Sequence, residues 1–388
     1  MIPYGRQSID QADIDAVVEV LRGDRLTQGP AVEEFENALA ERVDARHAVV
    51  FCNGTAALHA AMAAGGIGAS DRVLTSPLSF VASANCARYV GAQVGFVDID
   101  VTTWNLDVAA IGGQHCDALV AVHYGGLPCD LSSLAARPRV VIEDACHALG
   151  ARTPDGPVGN CAHSDMTVFS FHPVKAVTSA EGGAVTTNSD ELAGALRRFR
   201  SFGTVPTPDQ GGWSYAAESL GYNFRLSDVH AALGRSQLSK LGNFIALRGA
   251  LADRYRRRLI EMALPDVYAP PAAMPGWRHA YHLFPVWVPD RARVYEAMRA
   301  AGIGVQVHYV PIYRHPIYES LGYTHYDYPV TERVYDGLLT LPLYPTLSRD
   351  QQDVVLQALA AAVRDRSVPE HVQSTMHQLH IDHHQLAI

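Results

Sequence analysis

Cysteine is scarce in this chain: six residues in 388 (Cys52, Cys86, Cys116, Cys129, Cys146, Cys161), with no pair at C-x-x-C spacing. That leaves no zinc ribbon and no thioredoxin-type motif, and reduced thiols in or near the core are the expectation. Long apolar runs are missing too. No stretch approaches the ~20 residues a membrane-spanning helix needs, and the first ten residues are polar with no hydrophobic leader core. A cytoplasmic, unprocessed protein without membrane association is expected. Positive charge is also short, with 31 Lys and Arg against 40 Asp and Glu, a formal net charge of -9 spread without blocks. Such a balance disfavours general binding to nucleic acid or anionic membranes. No metal site is expected.

The chain does hold ample apolar material, 48% of its residues, and its order is informative. An opening helix begins near Asp10, runs through Ile14, Val17, Val18 and Leu21 at helical spacing, and ends near Gly23. A second amphipathic helix carries Val32, Phe35, Leu39 and Val43. Short β-rich runs then alternate with helices at 47–51, 72–75, 93–97, 118–122, 140–143, 166–171 and 183–187, the pattern of an α/β fold with a largely parallel sheet. The glycine- and proline-rich stretch 203–212 reads as a mobile loop, and helices are expected at 227–241 and 244–262. Beyond Pro265 come strands near 282–288 and 305–309, with helices at 291–301 and 350–364. The resulting division is a large domain at 1–245, a small C-terminal α/β domain at 246–368 and a polar tail at 369–388. The tail holds five of the 18 histidines and is expected to be disordered.

Three constellations could carry chemistry. Asn53-Gly54-Thr55 ends a strand and opens an alanine-rich helix, whose free amides and dipole suit an anion. Glu143-Asp144-Ala145-Cys146-His147 follows an apolar strand and delivers carboxylates to the strand's carboxyl end, where α/β proteins place ligands. Successive strand residues point to opposite faces, so only one of the two acids should reach that crevice. Lys175 follows another apolar strand and Pro173, where desolvation would favour its neutral, nucleophilic amine. An acid, a lysine and a helix start with a hydroxyl are together what a pyridoxal phosphate enzyme needs.

At this point the chain resembles the DegT/DnrJ/EryC1/StrS family of pyridoxal phosphate (PLP)-dependent nucleotide-sugar aminotransferases, over residues 4 to 364 or so. The motifs, in order, are Leu26-Thr27-Gln28-Gly29, Asn53-Gly54-Thr55-Ala56-Ala57-Leu58, Ser79-Phe80-Val81-Ala82 and Glu143-Asp144-Ala145-Cys146-His147-Ala148. Ser170-Phe171-His172-Pro173-Val174-Lys175, Ala180-Glu181-Gly182-Gly183 and Tyr222-Asn223-Phe224-Arg225-Leu226 complete the set. The resemblance implies the type I aminotransferase fold: a large domain with a mostly parallel seven-stranded sheet plus a smaller C-terminal α/β domain. It implies that Lys175 anchors the cofactor and moves the proton, that Asp144 pairs with the pyridine nitrogen, and that His147 lies near the ring oxygen. Phe80 would stack on the ring, where relatives often carry Trp or Tyr. Gly54, Thr55 and Ser170 would hold the phosphate with Asn223 of a second subunit, making a homodimer with shared active sites obligatory. Lysine, rather than the histidine of the dehydratase relatives, implies transamination, in which an amino donor such as glutamate converts PLP to its pyridoxamine form (PMP).

Within the family, the segments at 26–29, 79–85 and 306–313 look most like the pseudaminic-acid branch. That branch aminates C4 of a UDP-linked 4-keto-6-deoxy-N-acetyl-hexosamine, giving UDP-4-amino-4,6-dideoxy-N-acetyl-beta-L-altrosamine. The same resemblance places Tyr4, Asp24, Arg25, Leu26, Thr27, Asn223, His308, Tyr309, Val310 and Pro311 at the sugar-nucleotide site. Ala176 departs from close relatives, which often carry proline there. Three alternatives stand beside this reading: a 4- or 3-aminotransferase for another keto-deoxysugar, of perosamine or bacillosamine type; a PLP-binding regulatory protein; and a desulfurase using a thiol such as Cys146. The intact lysine and acid argue against the second, and the strand-end position of Cys146 against the third.

Overall fold

The computed structural model describes residues 1–364, so the expected histidine-rich tail at 369–388 and the last residues assigned to the small domain lie outside the described residues. Two N-terminal helices come first, α1 (Gln11–Arg22) and α2 (Pro30–Val43). The cap of α1 is reciprocal: the Asp10 side chain accepts from the Asp13 amide, and the Asp13 side chain accepts from the Asp10 amide. Asp13 is fully buried and also accepts from Ser236 Oγ at 2.6 Å, Gln237 Nε2 at 2.7 Å and Lys240 Nζ at 2.6 Å. This cluster clamps the first helix against a later one, since those three donors lie on and just after the helix over residues 228–239.

The first half alternates strands and helices: β1 (His47–Phe51), α3 (Gly54–Ala64), β2 (Arg72–Thr75), α4 (Ala82–Tyr89), β3 (Gln93–Phe96), β4 (Ala118–Val122) and β5 (Val140–Asp144). A two-residue ribbon, β6 (Arg152–Thr153) with β7 (Gly156–Pro157), precedes β8 (Met166–Ser170) and β9 (Gly183–Thr187). Seven of these strands form one sheet in the order β1-β9-β8-β5-β4-β2-β3. Only β9 runs against the rest. Apolar side chains on both faces explain the near-continuous Val, Ile, Leu and Ala of its central strands, which helices cover on either side. Because β1, β2, β4, β5 and β8 run the same way, their carboxyl ends share one edge, and every motif singled out above sits on that edge.

After α5 (Asp190–Arg200) the stretch expected to be an irregular mobile loop is instead partly ordered as a small antiparallel hairpin, β10 (Thr204–Pro206) with β11 (Tyr215–Ala217). Helices α6 (Asp228–Ser239) and α7 (Leu241–Met262) follow. The C-terminal part contains β12 (Phe284–Trp287), α8 (Arg291–Ala300), α9 (Pro316–Glu319), α10 (Pro329–Gly337), β13 (Leu338–Leu341) and α11 (Arg349–Arg364). β12 pairs antiparallel with β13 over its own core, formed by Phe284, Val286, Val294, Leu339, Val355 and their neighbours. The strand expected at 305–309 does not form: Gln306 makes a single bridge to Thr340, and the chain from His308 to Pro311 is irregular. Helix α7 crosses the expected 245–246 boundary unbroken. Its Leu241, Phe244 and Ile245 pack with the large sheet's core and its Ala252, Tyr255 and Leu259 with the smaller one.

Candidate active site

Four strand ends build the site. β1 leads into Asn53, whose side chain accepts from the Ala56 amide at 2.8 Å and caps α3. The first-turn amides of Gly54 and Thr55 therefore point off the helix start without intrahelical acceptors. A side chain at Gly54 would place its Cβ 3.0 Å from Ser170 Cβ and 3.3 Å from Ser170 Oγ, so the end of β8 lies directly against this helix start. Gly183, opening β9, lies closer still: a Cβ there would sit 2.5 Å from the Asn53 carbonyl and 2.7 Å from the Gly54 nitrogen. Two glycines thus let three backbone segments converge on one anion-sized cradle lined by Gly54, Thr55 and Ser170.

β5 delivers the two acids to opposite sides, as strand geometry requires. Asp144 is 5% exposed and accepts from Ser83 Oγ at 2.6 Å and, through its other oxygen, from the Cys146 amide at 3.2 Å. Glu143 faces His123, whose Nε2 lies 2.7 Å from its carboxylate, and also accepts from Ser164 and Thr167. Burial pushes the Glu143 carboxyl up, but the contacts with His123, Ser164 and Thr167 outweigh it and hold the group below its usual range. Glu143 is therefore spent on a buried structural contact, leaving Asp144 as the acid of the site.

Lys175 sits in the turn between β8 and β9, with its amide bonded to the His172 carbonyl at 2.9 Å. Burial lowers its pKa from the ordinary lysine value, against the opposing influence of Cys146 and Asp144. That neighbourhood favours the free amine needed for attack on a carbonyl carbon and for carrying a proton. The Cys146 thiol is pushed well up by burial and by Asp144, which deprives it of nucleophilic thiolate and removes the desulfurase reading.

The smaller lobe closes the other side. His147 Nε2 meets the Tyr309 hydroxyl at 2.9 Å, and the two rings stack at 17°. His308 is fixed through Nδ1 to Thr340 Oγ1 on β13 at 3.0 Å, and its carbonyl accepts from the Tyr124 hydroxyl. The Tyr4 ring packs 5.2 Å from that of His308. Burial, reinforced by Lys175, drops His308 to about 4, and for the same first reason His147 and His282 lie well below the ordinary histidine value. The site thus presents neutral imidazoles. His147 Nδ1 is buried without a hydrogen-bond partner, a polar atom suited to a ligand oxygen. Phe80 keeps 54% of its surface exposed and lies 5.9 Å, ring to ring, from Tyr309.

Other expected site residues are placed differently. Val310 is exposed and Pro311 buried beside the His308 segment. Asp24, Arg25, Leu26 and Thr27 form an exposed loop before α2; Leu26 O accepts from Asp228, Thr27 bridges Ser227, and none bonds to the residues around Lys175. Asp24 and Arg25 instead border a groove of about 1100 Å³ between α1, α2 and α6. Asn223 is exposed and bridges Ser201, with no side-chain hydrogen bond among the described residues. Ser83, Tyr124, His282 and Thr340 were not anticipated. Ser83 alone had a visible signal, its place inside the 79–85 motif.

Comparison with known proteins agrees with this geometry. A model of the DegT/DnrJ/EryC1/StrS aminotransferase family matches residues 7–360.

The chain belongs to that family.

Among curated relatives, the spore coat polysaccharide biosynthesis protein SpsC of Bacillus subtilis is 35% identical over 94% of this chain and 97% of its own length. The UDP-4-amino-4,6-dideoxy-N-acetyl-beta-L-altrosamine transaminase of Campylobacter jejuni is 38% identical over 83% of this chain and 87% of its own. Among solved structures, a sugar aminotransferase from Streptococcus pneumoniae in its PMP form matches with TM-score 0.87 at 25% identity, covering 94% of this chain and 99% of that one. Helicobacter pylori PseC, an aminotransferase of pseudaminic acid biosynthesis, matches with TM-score 0.86 at 29% identity, covering 93% and 99%. The expected type I aminotransferase fold is thereby established for this family member. No helix among the described residues is long and apolar enough to cross a membrane, and no cluster of metal-ligating side chains occurs among them.

Proposed function

We propose that this family member transfers an amino group from an amino acid, glutamate being the first to test, to C4 of a UDP-linked 4-keto-6-deoxy-N-acetyl-hexosamine. The product is UDP-4-amino-4,6-dideoxy-N-acetyl-beta-L-altrosamine. The observation that carries the substrate is the pair of Campylobacter jejuni altrosamine transaminases at 38% and 37% identity, each matched over 83% of this chain. PLP is the cofactor, cycling through PMP, and the cradle, the acid and the lysine on one sheet edge fit it. When bound, PLP supplies an electron sink for removing and replacing the proton on the amino-bearing carbon.

The chain's own residues have separable tasks. The amides of Gly54 and Thr55 with the Ser170 hydroxyl bind the phosphate. Asp144 holds the ring nitrogen's proton. Phe80 covers one ring face, and His147, oriented by Tyr309, contacts the ring oxygen. Lys175, kept as a free amine by burial, anchors the cofactor and shuttles the proton at its Nζ. Tyr4 and the segment from His308 to Pro311 border the sugar. The exposed residues 24–27 and Asn223 complete the site of a second copy, so the working unit is a homodimer in the cytoplasm.

The test is the visible spectrum of the protein with PLP. Bleaching by glutamate, and recovery only with the UDP-4-keto-6-deoxy sugar of L configuration, is the expected result, with the product's stereochemistry read by NMR. Recovery with a D-configured keto-sugar instead moves the enzyme to another branch of the family, and no bleaching by any amino acid overturns the transaminase reading.

A further inference from the structure

Two buried hydroxyls stand behind Asp144 and have no task in the account above. Ser83 Oγ donates to Asp144 Oδ2 at 2.6 Å, and the hydroxyls of Ser79 and Ser83 lie 2.7 Å apart. Ser79 is 3% exposed and Ser83 1%. Their direction is fixed by chemistry. An ionised carboxylate only accepts, so the single hydrogen of Ser83 goes to Asp144 and that of Ser79 must go to Ser83.

The surroundings make this arrangement costly unless it is used. Ser83 lies near the start of α4 among Ala82, Ala84, Cys86 and Ala87, all buried. A hydroxyl in such a layer is tolerated only when its bond is made, and chained hydroxyls in a low dielectric strengthen one another. Asp144 gains a donor on each oxygen: Ser83 on Oδ2 and the Cys146 amide on Oδ1 at 3.2 Å. A carboxylate gripped at both oxygens cannot turn about its terminal torsion. Lone pairs nevertheless remain on it for one more donor.

We propose that Ser83, backed by Ser79, is a positioning residue that locks the plane of Asp144 against the protonated nitrogen of the pyridine cofactor. This deepens the cofactor reading and is independent of the sugar. It predicts that the relay is felt in cofactor affinity before any substrate is present.

The experiment titrates cofactor-free protein with PLP, following absorbance, for the parent chain, Ser83→Ala, Ser83→Thr, Ser79→Ala and the double Ser79→Ala/Ser83→Ala variant. Thermal midpoints of the cofactor-free proteins report folding separately. Ser83→Ala is expected to weaken PLP binding about tenfold or more, the scale of a lost hydrogen bond to a charged group. Ser83→Thr, which keeps the hydroxyl, restores it. Ser79→Ala has a smaller effect that vanishes in the Ser83→Ala background, because Ser79 acts only through Ser83. In turnover, kcat falls while KM for the sugar stays. Equal PLP affinity in Ser83→Ala and the parent overturns the proposal, as do effects of the two single variants that simply multiply. Should Ser83→Ala not fold, Ser79→Ala decides, and unaltered PLP binding in it overturns the relay. A parent chain that takes up no PLP is a different result, which removes the cofactor reading itself.

Discussion

Glu143 and Asp144 are adjacent on one strand yet have no partner in common: Glu143 meets His123 at 2.7 Å on one face, and Asp144 meets Ser83 at 2.6 Å on the other. Substitutions at the two positions should therefore separate cleanly. Asp144→Ala is expected to abolish turnover and weaken PLP uptake in a folded protein. Glu143→Gln is expected to keep PLP binding while lowering stability by about 1–3 kcal/mol, the scale of disturbing a buried charged hydrogen bond. Urea denaturation alongside PLP titration of both variants checks this, and a Glu143→Gln protein that is stable but inactive would reverse the two roles.

Lys175→Ala should lose turnover by about a thousandfold or more, the scale of removing a positioned proton-transfer group. Folding should be spared, since the side chain has no hydrogen-bond partner to strand among the described residues. Single-turnover assays with amino donor and added small amines provide the measurement. Partial rescue by a small amine supports the proton-shuttle role, and full activity without one refutes it.

Much of this site was legible beforehand because its parts sit where strong local signals coincide. The apolar runs at 47–51, 72–75, 118–122 and 183–187 have sharp ends, and the strands occupy those very residues. The acid of the site stayed open between two neighbours until tertiary partners separated them. The hairpin at 204–217 was hidden by strands of three residues set among glycines and prolines. The apolar run at 305–309 has strand composition but gains only the Gln306–Thr340 bridge, so composition misled there. Ser83 was silent for another reason: a serine in an alanine-rich helix acquires meaning only when folding sets it beside a residue 61 positions away.

Acid should unfold this protein early. His308 lies at about 4 and His279 at about 3, and His147 and His282 are also well below the free value of 6.5, in each case chiefly through burial. Between those values and 6.5 the unfolded chain binds protons that the folded chain refuses, so stability rises with pH across that window. It is expected to be full above 6.5 and to fall progressively as pH drops toward 4. Denaturation midpoints measured from pH 8 to 4 test the sign. His308→Asn should flatten the slope, and a midpoint indifferent to pH over that range contradicts the burial argument.

The Asp13 cluster gives a prediction far from the chemistry. Asp13→Ala removes a fully buried carboxylate that accepts from Ser236, Gln237 and Lys240. A loss of about 3 kcal/mol is expected, typical of breaking a buried ion pair with hydrogen bonds. Chemical denaturation measures it, while PLP affinity per folded molecule should be unchanged. A cost below about 0.5 kcal/mol, the range of ordinary surface substitutions, would show that α1 is held by other contacts.

Helix α7 begins in one apolar core and finishes in the other. A fragment ending at residue 245 would carry away only the first turn and expose its Leu241, Phe244 and Ile245 end to solvent. The complementary piece would start mid-helix, without a cap. Neither half is a natural unit of expression, inheritance by gene fusion or exchange between relatives. Chimeras that swap sugar-binding lobes should be joined in the connection after Met262, where the helix has already delivered both of its ends.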